Sequence, residues 1–135
     1  MNAAIRVRDI MQTDFPQLTP ATPIREAVAM LVRRGAAAAM VTDGRGAPVG
    51  ILTEKDCFRP MLNSSYYQQW SGTVEDHMST KLQVLTVDLD LVSAAEEFLA
   101  RTHRVYPVLH ESSVVGMLHR SDLFAALLAE SERHK

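Results

Sequence analysis

Two seven-residue segments hold the residue types from which a polar binding site can be built. Gly50-Ile51-Leu52-Thr53-Glu54-Lys55-Asp56 sets a hydroxyl three residues before a carboxylate. Gly116-Met117-Leu118-His119-Arg120-Ser121-Asp122 repeats the glycine and the aspartate but carries an imidazole in place of the hydroxyl. An ionised carboxylate accepts charge-assisted hydrogen bonds at both oxygens, and the start of a helix offers free N–H groups to a phosphate. The same Thr-x-x-Asp spacing is also a capping box, in which the two residues close one end of a helix, and the spacing alone favours the cap.

Other chemistry is weakly supported. Gly44, Gly46 and Gly50 fall in a turn and a strand start, where they do not link a strand to a helix N-terminus, so no Rossmann or P-loop site follows. His77, His103, His110, His119 and His134 are scattered without metal-ligand spacing. Cys57 follows Asp56 near a helix start, a position that can lower a thiol pKa, but no motif pairs it with a base and packing is the favoured role. With no nucleophile–base arrangement, no metal and no catalytic cofactor implied, a non-enzyme is expected.

Composition narrows the class further. The chain has 135 residues, 47% of them hydrophobic and 22% charged, which are ordinary values for one compact globular domain. Fourteen basic against sixteen acidic residues give a net charge of -2, without the positive field on which non-specific nucleic-acid binding relies. A single cysteine excludes an intrachain disulfide and suits a reducing compartment. Arg6, Arg8 and Asp9 precede any apolar stretch long enough for a signal peptide, and Ala36 to Val41 is too short to span a bilayer. These features predict a cytoplasmic protein with neither a nucleic-acid nor a membrane partner.

The elements that position the two segments are themselves repeated. Val7-Arg8-Asp9-Ile10-Met11 returns 67 residues later as Val74-Glu75-Asp76-His77-Met78, and Thr19 returns as Thr86. Thr22 as N-cap and Pro23 at the first helical position predict a helix start, after which Ile24, Ala27, Val28, Leu31 and Val32 share one face until Gly35. The second copy, entered through Asp90, has Leu91, Ala94, Ala95, Phe98 and Leu99 at the matching positions. Each helix precedes two short apolar runs around a turn, which predict a β-hairpin: 37–41 and 49–52, then 105–109 and 114–118. A closing helix follows near Thr53 and near Ser121, the second with Leu123, Phe124, Leu127 and Leu128 on one side.

Each unit therefore reads β-α-β-β-α, an α/β (α+β) class, and two such units are expected to pack about a pseudo-two-fold axis. The expected boundaries are 1–62 and 74–130 for the repeats, 63–73 for the connection and 131–135 for a charged tail. Tyr66, Tyr67 and Trp70 in the connection read as anchors to a core or to another subunit in preference to base-stacking groups.

These motifs, from about Val7 to Ala129, resemble tandem CBS domains. The resemblance implies a stand-alone CBS pair, a Bateman module, with clefts between the repeats for AMP, ADP, ATP or S-adenosylmethionine. It implies that Thr53, Asp56 and Asp122 bind ribose or the adjacent phosphate. Lys55, Arg104, His119 and Arg120 become candidates for the phosphate, and Thr19, Pro20 and Ile51 for the adenine slot. His119 departs from the family's hydroxyl, so the first segment is expected to be the stronger site. A homodimer of CBS pairs read by an effector protein is implied as well. The alternative is a ligand-free dimerisation or protein-interaction module in which Thr53 and Asp56 only cap a helix.

Overall fold

The computed structural model describes residues 4–133; His134 and the last residue of the charged tail lie outside them. Its elements in chain order are α1 (Val7–Ile10), β1 (Gln17–Leu18), α2 (Ile24–Arg34), β2 (Ala38–Thr42), β3 (Pro48–Thr53) and α3 (Glu54–Tyr67). A 3-10 turn (Val74–Asp76) leads to β4 (Leu85–Thr86), α4 (Leu91–Ala100), β5 (Val105–His110), β6 (Ser113–His119) and α5 (Arg120–Arg133). The β-α-β-β-α order occurs twice. Each copy forms a three-stranded sheet, β1-β2-β3 and β4-β5-β6, in which the first pair is parallel and the second antiparallel.

All five residues of β2 and the first four of β5 are buried, as expected for central strands. Ile24, Ala27, Val28 and Leu31 of α2 pack with Val41, Leu52, Cys57 and Val74. Leu91 and Ala94 of α4 pack with Val7, Tyr106, Leu118 and Leu123. Tyr106 is fully buried, and its hydroxyl donates to the Glu97 carbonyl at 3.0 Å. Burial, with the Glu97 charge, raises the pKa of this phenol.

Several local expectations shift by a residue. Helix α2 begins at Ile24 with Pro23 as the capping residue, so Pro23 is not its first helical residue. The Thr22 hydroxyl turns back to the Thr19 N–H (3.3 Å) and hydroxyl (2.9 Å), which removes it from the helix start. Gly35 does end the helix, with φ of 59° and its N–H on the Leu31 and Val32 carbonyls. The apolar stripes are narrower than the sequence suggests: Val32 is 73% and Leu99 89% exposed, and on α5 Phe124 and Leu128 face out while Leu123 is buried. Helix α3 runs on into the connection as far as Tyr67, leaving both tyrosines exposed, whereas Trp70 packs on the core.

The compact units do not follow the sequence repeats. One comprises residues 15–82; the other joins residues 1–14 to residues 83–135. Each Val-x-Asp-x-Met segment therefore completes the unit formed by the other repeat. Val7, fully buried, sits among Leu85, Val87 and Leu91, and its N–H donates to the Leu89 carbonyl at 2.9 Å, while Arg8 pairs with Asp88.

Candidate functional site

The closing helix of each repeat starts where its hairpin ends, so a strand delivers the capping residue directly. In the first copy Thr53 ends β3 opposite Ala38 and caps α3. Its N–H donates to Asp56 Oδ2 at 2.9 Å, and the Asp56 N–H donates to Thr53 Oγ1 at 3.3 Å. The capping box is thus fully made. It engages one carboxylate oxygen; the other, Oδ1, has only a long contact with the Ser79 hydroxyl, at 3.5 Å.

The second copy makes half of that box. The His119 N–H donates to Asp122 Oδ2 at 3.3 Å, but an imidazole has no oxygen to accept the helix N–H in return. Gln12 Nε2 donates to the same Asp122 oxygen at 3.0 Å. The His119 Nδ1 lies 3.4 Å from Asp122 Oδ2 yet is buried without a hydrogen bond among the described residues. Arg120, whose N–H donates to the Arg104 carbonyl at 2.8 Å, and Arg104 are both exposed beside it. Arg104, His119, Arg120 and Asp122 are therefore brought to one corner.

Gln12 and Ser79 were not singled out by sequence. Each follows the methionine of a Val-x-Asp-x-Met segment, at the same 67-residue offset, and each reaches the carboxylate of a cap. The repeat held the signal, but only exchange of the segments makes them neighbours of Asp122 and Asp56. The backbones explain the glycines. Ser79 exchanges two hydrogen bonds with Ile51 (2.9 and 3.0 Å), as Gln12 does with Met117 (2.8 and 2.9 Å). A β-carbon on Gly50 would stand 2.6 Å from Met78 Sδ, and one on Gly116 2.6 Å from Met11 Sδ. Glycine is required here for close approach, not for a special φ.

Lys55 is exposed on the first turn of α3, and Ile51 is partly buried opposite Met40. Thr19 and Pro20 follow Leu18, which pairs with Val41, whereas Thr53 pairs with Ala38 at the other end of β2. Within this unit Thr19 and Pro20 are therefore not brought to Thr53. The Cys57 thiol is buried and pushed up to about 11 by burial and by the Asp56 and Glu54 charges, which removes the expectation of a lowered value. Among the described residues no three His, Cys, Asp or Glu side chains gather as metal ligands, and no helix is long and apolar enough to cross a membrane.

A family model described as the CBS domain matches residues 7–63 and again 74–129. A crystal structure of CBSX2 in complex with AMP superposes with a TM-score of 0.83 at 22% identity, covering 95% of this chain and 99% of that one. The CBS domain pair of protein MJ0100, in complex with 5'-methylthioadenosine and S-adenosyl-L-methionine, gives 0.79 at 19% identity over 95% and 99% of the two chains. In sequence, the A-adding tRNA nucleotidyltransferase of Aquifex aeolicus is 28% identical over 129 residues. Those residues are 96% of this chain, which spans only 15% of the length of that enzyme.

Proposed function

The chain belongs to the CBS domain family, and from that premise we propose that it is a non-catalytic regulatory module that senses an adenosine-type ligand such as AMP, ADP, ATP or S-adenosylmethionine. One observation carries this reading: the cap on α3 uses a single oxygen of Asp56 and leaves Oδ1 weakly held, beside the Thr53 hydroxyl. A carboxylate in that state can accept from the vicinal hydroxyls of a ribose while it still closes the helix. The AMP complex of CBSX2 and the methylthioadenosine and S-adenosylmethionine complex of MJ0100 support the ligand class.

In this reading Thr53 and Asp56 take the ribose, with Asp122 as their weaker counterpart. Lys55, Arg104, His119 and Arg120 supply positive charge or N–H donors to a phosphate. Ile51, two residues before Thr53, flanks the purine, whereas Thr19 and Pro20, at the other end of β2, do not. The ligand acts by its differential affinity for two arrangements of the protein, which an effector protein then reads in the cytoplasm. No step of chemistry is assigned to the chain.

Exposed apolar side chains favour a second reading, a ligand-free dimerisation or protein-interaction module. Val32 and Phe58 in one unit, and Leu99 and Phe124 in the other, are each more than 60% exposed. A homodimer through the helices is compatible with both readings. Thermal unfolding against AMP, ADP, ATP and S-adenosylmethionine separates them, because a ligand bound only by the folded state raises the midpoint with concentration. A midpoint unmoved by all four at millimolar concentration removes the sensor reading.

A further inference from the structure

A cavity of about 330 Å3 lies along α2 and β1, away from Ile51, Thr53 and Asp56. We propose that it binds a small zwitterion whose ammonium and carboxylate are separated by a short apolar stem, as in an ω-amino acid. Glu26, Met30 and Arg33 line it from α2 at positions i, i+4 and i+7, which share one helical face. The other wall and floor are Gln17, Leu18, Thr19, Thr22 and Thr42.

The fold gives this groove two unlike ends. Because α2 connects two parallel strands, it runs back along them, antiparallel to β1. Glu26 near its start therefore lies toward Thr19, Thr22 and Thr42, and Arg33 near its end lies toward Gln17. The seven residue steps from Glu26 to Arg33 rise about 10.5 Å along the axis, with Met30 and Leu18 between them as apolar lining. One end is an acid among hydroxyls, suited to an ammonium. The other is a guanidinium with an amide, suited to a carboxylate.

Neither charge is used inside the protein. Among the described residues no ion pair or side-chain hydrogen bond engages Glu26 or Arg33, although other exposed charges, such as Arg101 with Glu97 and Arg133 with Glu130, are paired. Thr42, the one buried polar residue of the described chain at 8% exposed, also lines the cavity. The volume falls within the range of small-molecule sites.

The test is an amide-resolved NMR titration of the full chain with 5-aminovalerate, with butylamine, valerate and glycine as controls. The expected result is saturable shifts centred on Thr19, Met30 and Thr42. Binding should be at least tenfold weaker for butylamine and valerate, which each lack one pole, and for glycine, which lacks the stem. Glu26→Gln and Arg33→Gln replace exposed charges, so they should leave the rest of the spectrum unchanged while each weakening 5-aminovalerate about tenfold, as expected for loss of a charge-assisted contact. Shifts that fail to saturate, that centre elsewhere, or that persist undiminished in both variants overturn the proposal, as does glycine binding equal to that of 5-aminovalerate.

Discussion

Gly50 and Met78 meet so closely that a β-carbon on the glycine would stand 2.6 Å from the methionine sulfur and 3.0 Å from the Ser79 carbonyl oxygen. The sulfur belongs to a flexible side chain and can move, but the carbonyl belongs to the backbone pairing of Ser79 with Ile51 and cannot. Gly50→Ala should therefore cost about 1–3 kcal/mol, the usual range for overpacking. Adding Met78→Ala should recover only part of that loss, because the carbonyl clash remains. Chemical denaturation of the two variants checks both statements, and full recovery in the double variant would show that the backbone gives way.

The exchange of segments makes a second prediction, contrary to what the order of the repeats suggests. Removing residues 1–13 deletes part of the first sequence repeat, yet Val7, fully buried, belongs to the core containing Tyr106 and Leu118, and Met11 packs against that core. The damage should appear in residues 83–133, with loss of amide protection on β5 and β6, while β2 and β3 stay protected. Losing one fully buried valine alone costs about 1.5–3 kcal/mol, before the backbone pairing of Gln12 with Met117 is counted. Hydrogen exchange resolved by segment distinguishes this pattern from its reverse.

Much of this was legible in the sequence, for physical reasons that particular residues make plain. The internal repeat, the 3.6-residue period of Ile24 to Leu31 and the apolar runs of the hairpins all express local rules, and the structure keeps them. The second hairpin turn was less legible. It is closed by Glu111 and Ser112 at φ of 50° and 71°, a conformation whose usual signal is Asn-Gly, so the strand pairing must hold these residues there. Periodicity cannot say that Val32 and Leu99 face out, since both fit the stripe. Gln12 and Ser79 were out of reach because they touch Asp122 and Asp56 only through pairing across 110 and 23 residues of chain. Thr53 and Asp56 were the opposite case: both readings of the motif were visible, and the cap is formed with one oxygen to spare.

The exposed apolar positions predict association. Val32 and Leu99 occupy equivalent places on α2 and α4, and no core in either unit uses them. Light scattering at micromolar concentration should return a dimer. Val32→Glu with Leu99→Glu should shift it to a monomer, with little effect on the intrinsic stability of either unit, because exposed sites carry little folding energy. A wild type that is strictly monomeric at that concentration would remove the homodimer.

Stability should fall in alkaline solution. The Cys57 thiol has its value pushed up to about 11 in the folded protein, against an ordinary value near 9.0. Between these values the unfolded chain loses the thiol proton while the folded chain keeps it, so the folded state binds more protons and loses stability as pH rises. The slope reaches at most about 1.4 kcal/mol per pH unit. Tyr106, also raised, acts in the same direction above pH 10. Cys57→Ser should flatten the decline between pH 9 and 11, and native Cys57 should resist alkylation at neutral pH until the protein is unfolded.

The two carboxylates of the caps should differ as ligand sites. Asp56 has the Thr53 hydroxyl beside it and one oxygen held only at 3.5 Å by Ser79, whereas Asp122 Oδ2 receives both the His119 N–H and Gln12 Nε2, and no side-chain hydroxyl stands at position 119. A ribose at the second segment therefore lacks one neutral hydroxyl partner, a loss of about 0.5–1.5 kcal/mol or up to about tenfold in affinity, and meets an Asp122 oxygen that is already engaged. One tight adenosine-type ligand per chain should be seen by calorimetry before any second. Asp56→Asn keeps an oxygen able to accept the Thr53 N–H, so the ligand-free melting temperature should stay within a few degrees of wild type. It removes the charge offered to the ribose hydroxyls, so affinity should fall at least tenfold, while Asp122→Asn should leave the tight site nearly intact. Undiminished affinity in Asp56→Asn, together with loss of binding in Asp122→Asn, would place the primary site at the second repeat and show that Thr53 and Asp56 serve only the helix.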